Sequence, residues 1–344
     1  MGVGLLGFIG VGVESSGGTS STSGQSTMAE FTPFITETLA VTKDTIDDES
    51  IRALWDNQRV FNGQQRVGGT VTMKVIPSAI GHFFHSWFDT STTITGSSQL
   101  VTSNANWAAH RFVAAQGQFQ SGSGSDVPTK SFLVYRGPAQ YQQAAPSSAF
   151  FYYNCAANVM ELTAEAGQLV RASFDFVGRD YARIAMATPT FPTPQGFLWS
   201  SVSLAIAGAG TPIYQSLTIR GDNKLEGIAK LDGRLRPDLT KRNGFREIQV
   251  NGRLTYQNDT DYDRFVQGSE QTLQLYFSTE GGSFELLIDT PRFRYSTFPL
   301  GIGGPGFLSV DFTGRAVYDH GSGSAMTITL VNTRLSAYAV NAAV

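Results

Sequence analysis

Apolar and polar residues alternate along most of this chain. Val67–Val75 (VGGTVTMKV) and Leu169–Val177 (LVRASFDFV) put every second side chain on one apolar face. Ile248–Tyr256 (IQVNGRLTY), Thr272–Phe277 (TLQLYF) and Phe307–Phe312 (FLSVDF) repeat the habit further on. A period of two is the mark of half-buried strands. Helical spacing is confined to two short stretches. Ser78 is placed to cap Ala79–Phe88, where Ile80, Phe83, Phe84 and Trp87 share a face. Asp259 or Thr260 is placed to cap Asp261–Val266, with Tyr262, Phe265 and Val266 pointing inward. The pattern predicts a mainly β protein with one short helix in each half.

The halves are set by punctuation. Thr188–Gly196 (TPTFPTPQG) reads as an extended linker between a first unit, 31–187, and a second, 197–344. Residues 1–30 contain the small, polar run Glu14–Thr27 and are expected to form a flexible arm that orders only against a partner. Ser121–Asp126 (SGSGSD) reads as a loop tip. The two units also resemble each other. Leu39 and Val41 correspond to Leu217 and Ile219 at an offset of 178, and Gly69 and Val71 to Gly252 and Leu254 at 183. Asp175–Arg179 can be laid against Asp311–Arg315. The shared order of strand, long connection, glycine-bearing strand, helix and closing strand points to duplication. In each copy the connection (Val41 to Val67, Ile219 to Ile248) carries alternating charge and no core-like face. A loop of that length is uncommon in compact domains, so a projecting β-hairpin awaiting a neighbour is expected.

Composition narrows the classes. Of 344 residues 41% are hydrophobic, enough for a core, while only 15% are charged and 37 are glycine. A net charge of −3 argues against a groove that grips nucleic-acid phosphates. A single cysteine, Cys155, rules out an intrachain disulfide framework and a thiolate zinc site. No apolar run reaches the roughly 20 residues of a membrane span. Met1–Val13 lacks a basic flank and contains five glycines, so it makes a poor signal peptide. Leu6 stands where a myristoylation signal wants Ser or Thr.

Within those bounds three stretches stand out: Gly10–Thr19 (GVGVESSGGT), Thr36–Leu39 with Arg59, Gly63 and Gly69 after it, and Glu165–Gly167 running into Ser173–Gly178. In these the chain resembles the tail tube (major tail) proteins of long-tailed bacteriophages. Pro291–Arg294 and Val310–Asp319 carry the resemblance in the second copy, whereas residues 90–150 have no counterpart there. The resemblance implies β-sandwiches with a flanking helix whose sheets join side by side around a channel. Rings then stack through the hairpin and the terminal arm. Members with a single copy form six-fold rings, so a two-copy chain is expected to form a homotrimer of pseudo-hexameric shape. It also implies a tape measure protein and tail terminator or tip proteins as partners, and double-stranded DNA that passes without specific binding. The expected place is the virion tail, after synthesis in the host cytoplasm, with no membrane, no cofactor and no enzymatic activity. The alternatives are another phage tail ring protein (tail completion or baseplate) and a β-sandwich carbohydrate-binding module using Trp55, Trp87, Trp107 or Trp199.

Candidate chemistry was weighed against plainer roles. Gly2–Gly7 and Gly301–Gly306 match G-x-G-x-x-G but lack the strand-before, helix-after context of a dinucleotide fingerprint. Asp259, Asp261, Asp263 and Glu270 mimic calcium-loop spacing, yet Arg264 stands where the loop needs glycine, and helix capping is the plainer reading. His82 and His85 are expected to be partly buried structural residues. No Gly-x-Ser-x-Gly and no convincing carboxylate pair is present. Arg234–Arg246 is rich in arginine but interrupted by Asp238 and carries no aromatic ladder. It is expected to belong to an inter-ring contact made by Arg52, Arg59, Arg66, Arg234, Arg236, Lys241 and Arg242, one that weakens at high salt.

Overall fold

The computed structural model describes residues 7–13, 28–48, 59–88, 90–95, 107–114, 128–136, 148–185, 189–191, 195–206, 209–210, 213–231, 233–237, 239–279, 284–301 and 307–338. The Ser/Gly run Glu14–Thr27, the tip Ser121–Asp126, Arg52 and Trp55 lie outside them. Before the proline-rich segment the chain forms β1 (Phe8–Val13), β2 (Met28–Thr32), β3 (Thr36–Glu37), β4 (Ala40–Asp47), β5 (Val60–Lys74) and α1 (Gly81–Trp87). There follow β6 (Thr90–Thr95), β7 (Ala108–Val113), β8 (Lys130–Tyr135), β9 (Ser148–Glu165), β10 (Arg171–Gly178) and β11 (Asp180–Ala185). After it come β12 (Val202–Ile206), β13 (Ala209–Gly210), β14 (Ile213–Asp222), β15 (Leu225–Ile228), β16 (Leu239–Arg242) and β17 (Glu247–Thr255). The chain ends with α2 (Thr260–Gln267), β18 (Gln271–Ser278), β19 (Glu285–Thr297), β20 (Ser309–Ala316) and β21 (Thr327–Asn332). The fold is mainly β, as its periodicity predicts.

A front sheet runs β4–β5–β10–β9–β14–β17–β20–β19, with every neighbour antiparallel. Each half supplies four adjacent strands in the same order. The registers match as well: Val41 faces Val67 as Ile219 faces Val250, and Gly69 faces Phe176 as Gly252 faces Phe312. A back sheet runs β12–β18–β19–β21–β7–β6. A third runs β2–β1–β8–β9–β11. Residues 90–150 therefore do not stand apart: β6 and β7 extend the back sheet beside β21, and β8 seats β1.

One apolar core fills the interior. Phe84 of α1 touches Phe112 on the back sheet and Phe174 on the front, with ring centroids 5.8 and 6.1 Å apart. The segment expected to link two units does not separate two cores, because Phe197 is buried and its carbonyl accepts from the Val170 amide at 3.0 Å.

Several expectations need correction. Phe8–Val13, assigned to the flexible arm, is an interior strand whose Phe8, Ile9 and Val11 are buried; burial of these three apolar side chains offsets the cost of ordering. Ser78 caps nothing; α1 starts at Gly81 with Ile80 at its N-cap and no side-chain cap bond. Ile80, Phe83, Phe84 and Trp87 are all buried as expected, so packing rather than capping sets this helix. In α2, Asp259 holds the N-cap position, but its carboxylate accepts from the Tyr256 hydroxyl rather than from a helix amide. Val266 points outward, at 64% exposure.

The hairpin of the first half projects as expected, with β4 and β5 paired out to Asp47–Val60 and residues 42–47 exposed. Its counterpart, the β15–β16 ribbon, folds back instead. The Gln65 amide donates to the Leu235 carbonyl at 2.6 Å, and Leu225 packs on Ala156.

Candidate functional site: a polar sheet face and its open edge

Because strand side chains alternate, burying one face of the front sheet commits the other to solvent. Val67, Val71, Phe174, Leu162, Ile219, Val250 and Phe312 point into the core. Their neighbours form rows that cross the sheet on the open face. One row reads Lys74–Arg171–Thr163–Thr218–Asn251–Thr313, and the next Thr72–Ser173–Glu161–Arg220–Gln249–Arg315. Threonine and serine hydroxyls bond across strands, Thr72 with Ser173 at 3.2 Å and Thr163 with Thr218 at 3.3 Å.

Three arginines on this face stand beside carboxylates, whereas Lys74 opposite Arg171, and Arg315 opposite Arg294, do not. Arg220 Nη1 donates to Glu161 Oε2 at 3.2 Å, across the seam between the halves. Arg253 grips Asp311 with two bonds of 2.7 and 2.9 Å, and Arg66 approaches Asp44 at 3.4 Å. The Arg253 bond holds the Asp311 carboxyl below its usual range. Burial raises Asp175, opposed by the Thr70 hydroxyl and by Arg220. The face is polar, and these arginines are neutralised in place.

The seam is built by a few polar residues. Asn223, fully buried, donates to the carbonyls of Trp87 (2.9 Å) and Ala157 (3.1 Å) and accepts from Arg246 Nε (2.9 Å) and Arg242 Nη2 (3.2 Å). Asn158, the bulged residue of β9, accepts the Leu225 amide on its side chain at 2.7 Å. Gly221 leaves room for the Trp87 ring, which a Cβ would strike. Replacing Asn223 with Ala strands two buried carbonyls and releases two guanidinium groups. We expect a loss of about 2–4 kcal/mol in chemical denaturation.

At the far side of the first half the sheet ends on an open edge. The Thr38 amide donates to the Thr70 carbonyl at 3.0 Å, so the alternate residues Thr38, Ala40 and Thr42 face β5. Val41 and Lys43 turn their amides away, and among the described residues β4 has no strand on that side. Near its start the Leu39 carbonyl accepts from the Tyr152 hydroxyl at 3.0 Å and from Arg136, itself paired with Glu37 at 2.8 Å.

The proposed contact residues fall into separate places. Arg59 lies over Phe61 on the projecting hairpin, and Arg66 lies at its base. Arg234 is exposed on the second ribbon, and Lys241 is partly covered there. Arg236 binds Asp180 and the Tyr153 hydroxyl, and Arg242 binds Asn223, so both are engaged within the chain. The calcium-like carboxylates disperse: Asp261 pairs with Arg264 at 2.9 Å, Glu270 with Arg292 at 2.7 Å, and Asp259 with Tyr256. Among the described residues no group of three metal-ligating side chains converges. Trp87 is core, Trp199 is half-exposed, and Trp107 leans on Phe284. The sequence reading missed the Asn223 and Asn158 seam, because neither residue belongs to a recognisable motif.

No curated protein matches this chain. The family described as phage tail tube protein matches residues 4–316, almost the whole length. That match, on a mainly β chain with a polar sheet face and an open edge, shows that the protein belongs to the phage tail tube protein family and is a structural protein of the virion tail.

Proposed function

We propose that the chain carries two tandem tube units, 31–187 and 197–344, and that three chains close a ring whose channel is lined by the polar face of the front sheet. The duplicated order of four strands, with matched registers in both halves, supports this reading. Within the chain, β14 adds its edge to β9 between Ser216–Glu165 and Asp222–Val159. The corresponding edge of the first unit is β4, which is open. The same contact made between chains is head-to-tail, and it must either close or run on as a filament. Three two-unit chains give six copies of one repeating junction.

In such a ring DNA meets hydroxyls and amides, and three of the arginines it passes are paired, leaving Lys74, Arg171, Arg294 and Arg315 as cations without a carboxylate beside them. An unpaired Lys or Arg adds a salt-dependent attraction to every passing phosphate; carboxylates within reach of Arg220, Arg253 and Arg66 limit it. The chain therefore acts as a passive conduit for viral DNA. The exposed Ile46, Val60 and Phe61 of the first hairpin, with Arg59 beside them, form the contact with the next ring. Arg234 and Lys241 on the second ribbon contribute to the same layer of contacts, and a tape measure protein and tail terminator or tip proteins bound the stack. Negative-stain electron microscopy of the purified chain tests the role. Hollow tubes or rings are expected, and a persistently monomeric protein at high concentration contradicts it.

A further inference from the structure

Beyond β21 the chain turns back under α1, a feature that tube formation does not require. Tyr338 is fully buried, its ring 4.8 Å from His82 and 4.7 Å from His110. Asn332 Nδ2 donates to its hydroxyl at 2.8 Å, and Lys130 Nζ donates to its carbonyl at 3.1 Å. Gly81 makes the seat, since a Cβ there would strike the Tyr338 ring. A side chain of the second half thus sits inside the first.

Titratable groups from every element around this plug face it. α1 brings His82 and His85, β7 brings His110, β8 brings Lys130, β2 brings Glu30, and the tail brings Arg334. Neither ring nitrogen of His82, nor Nδ1 of His85, has a hydrogen-bond partner, although Glu30 Oε2 lies 3.8 Å from His82 Nε2. His110 Nε2 donates to the Arg334 carbonyl at 2.8 Å and so keeps its proton there, leaving Nδ1 to accept from Thr93 at 3.0 Å. This is a seat for three neutral imidazoles beside two fixed cations.

We propose that Arg334–Tyr338 is an acid-released latch, which holds this segment of the second half on the first near neutral pH and lets go as His82 and His110 take up protons. Burial lowers all three imidazoles, His85 to about 2 with help from the Lys130 charge. When the latch opens, His82 and His110, which touch the Tyr338 ring, regain their ordinary affinity near 6.5, so opening takes up as many as two protons below that pH. Glu30 works against this. Burial raises it from 4.5 to about 7, so it gives up a proton on opening within that window. The net uptake is about one proton, so the closed state is most favoured between about pH 6.5 and 7 and weakens by up to about tenfold per pH unit below that.

Hydrogen exchange of the full chain near pH 7.5 and pH 5.5, corrected for the intrinsic pH dependence of exchange, tests the latch. Protection of the Arg334 amide, which donates to Asn332 Oδ1 at 2.9 Å, is expected to fall several-fold while β14 and β17 keep theirs. His82→Phe should move that loss to lower pH. If this variant does not fold, the imidazole C–H resonances of the unmodified protein serve instead, since they should titrate together with the loss of protection. Unchanged protection of the Arg334 amide, loss spread evenly over the chain, or imidazoles titrating near 6.5 with that amide still protected would each overturn the proposal.

Discussion

Lys43→Pro is expected to leave the subunit folded and to abolish ring closure. Lys43 is exposed, and its amide points away from β5, so proline removes a donor that the β4–β5 ladder does not use. The same ring atoms block an incoming strand and delete one edge hydrogen bond. A loss of about 3 kcal/mol per junction corresponds to roughly a hundredfold rise in the concentration needed to assemble. Thr42→Pro is the control, because the Thr42 amide faces β5 and its loss strikes the fold itself. Analytical ultracentrifugation with thermal melts separates the two. The edge reading predicts a stable Lys43→Pro monomer and a destabilised Thr42→Pro protein. Normal assembly by Lys43→Pro would show that β4 is not the closing edge.

Removing two carboxylates should make the polar face stickier. Glu161→Gln leaves Arg220 without its partner, and Asp311→Asn does the same for Arg253. Both arginines are about half exposed, so the fold should lose under about 1 kcal/mol. Two freed guanidinium groups per chain are then open to phosphate. In the soluble Lys43→Pro background, a labelled DNA duplex should bind measurably by anisotropy at low salt. The variant should bind more tightly than the parent, with a log–log salt slope steeper by about 2. Equal binding with equal slopes would mean that these two carboxylates do not weaken the attraction of the face for phosphate.

How much of this was legible follows from the range of each interaction. Strands such as β10 and β17 could be read because one buried face imposes a period of two on nearby residues. The projecting hairpin could be read because its charges alternate over a span too long for a compact loop. Matching Gly69 to Gly252 by offset predicted equivalent positions, and their registers agree. What lay hidden depends on distant partners. Nothing near Val159–Glu165 announces that it will pair with Ser216–Asp222, and nothing near Thr327–Asn332 announces β7. Asn223 matters only because folding brings Trp87, Ala157, Arg242 and Arg246 around it. Caps misled for the same reason: α1 is buried on all sides, so Ser78 had no exposed helix end to stabilise.

The central claim is that a duplicated unit closes three chains around a channel walled by one polar sheet face. Cryo-electron microscopy of tubes assembled from the purified chain tests it most directly. Three chains per ring are expected, with Thr218, Arg220, Asn251 and Arg253 facing the lumen and β4 of each chain abutting the second unit of the next. Six chains per ring, or a lumen lined by α1 and α2 with that face turned outward, would contradict it.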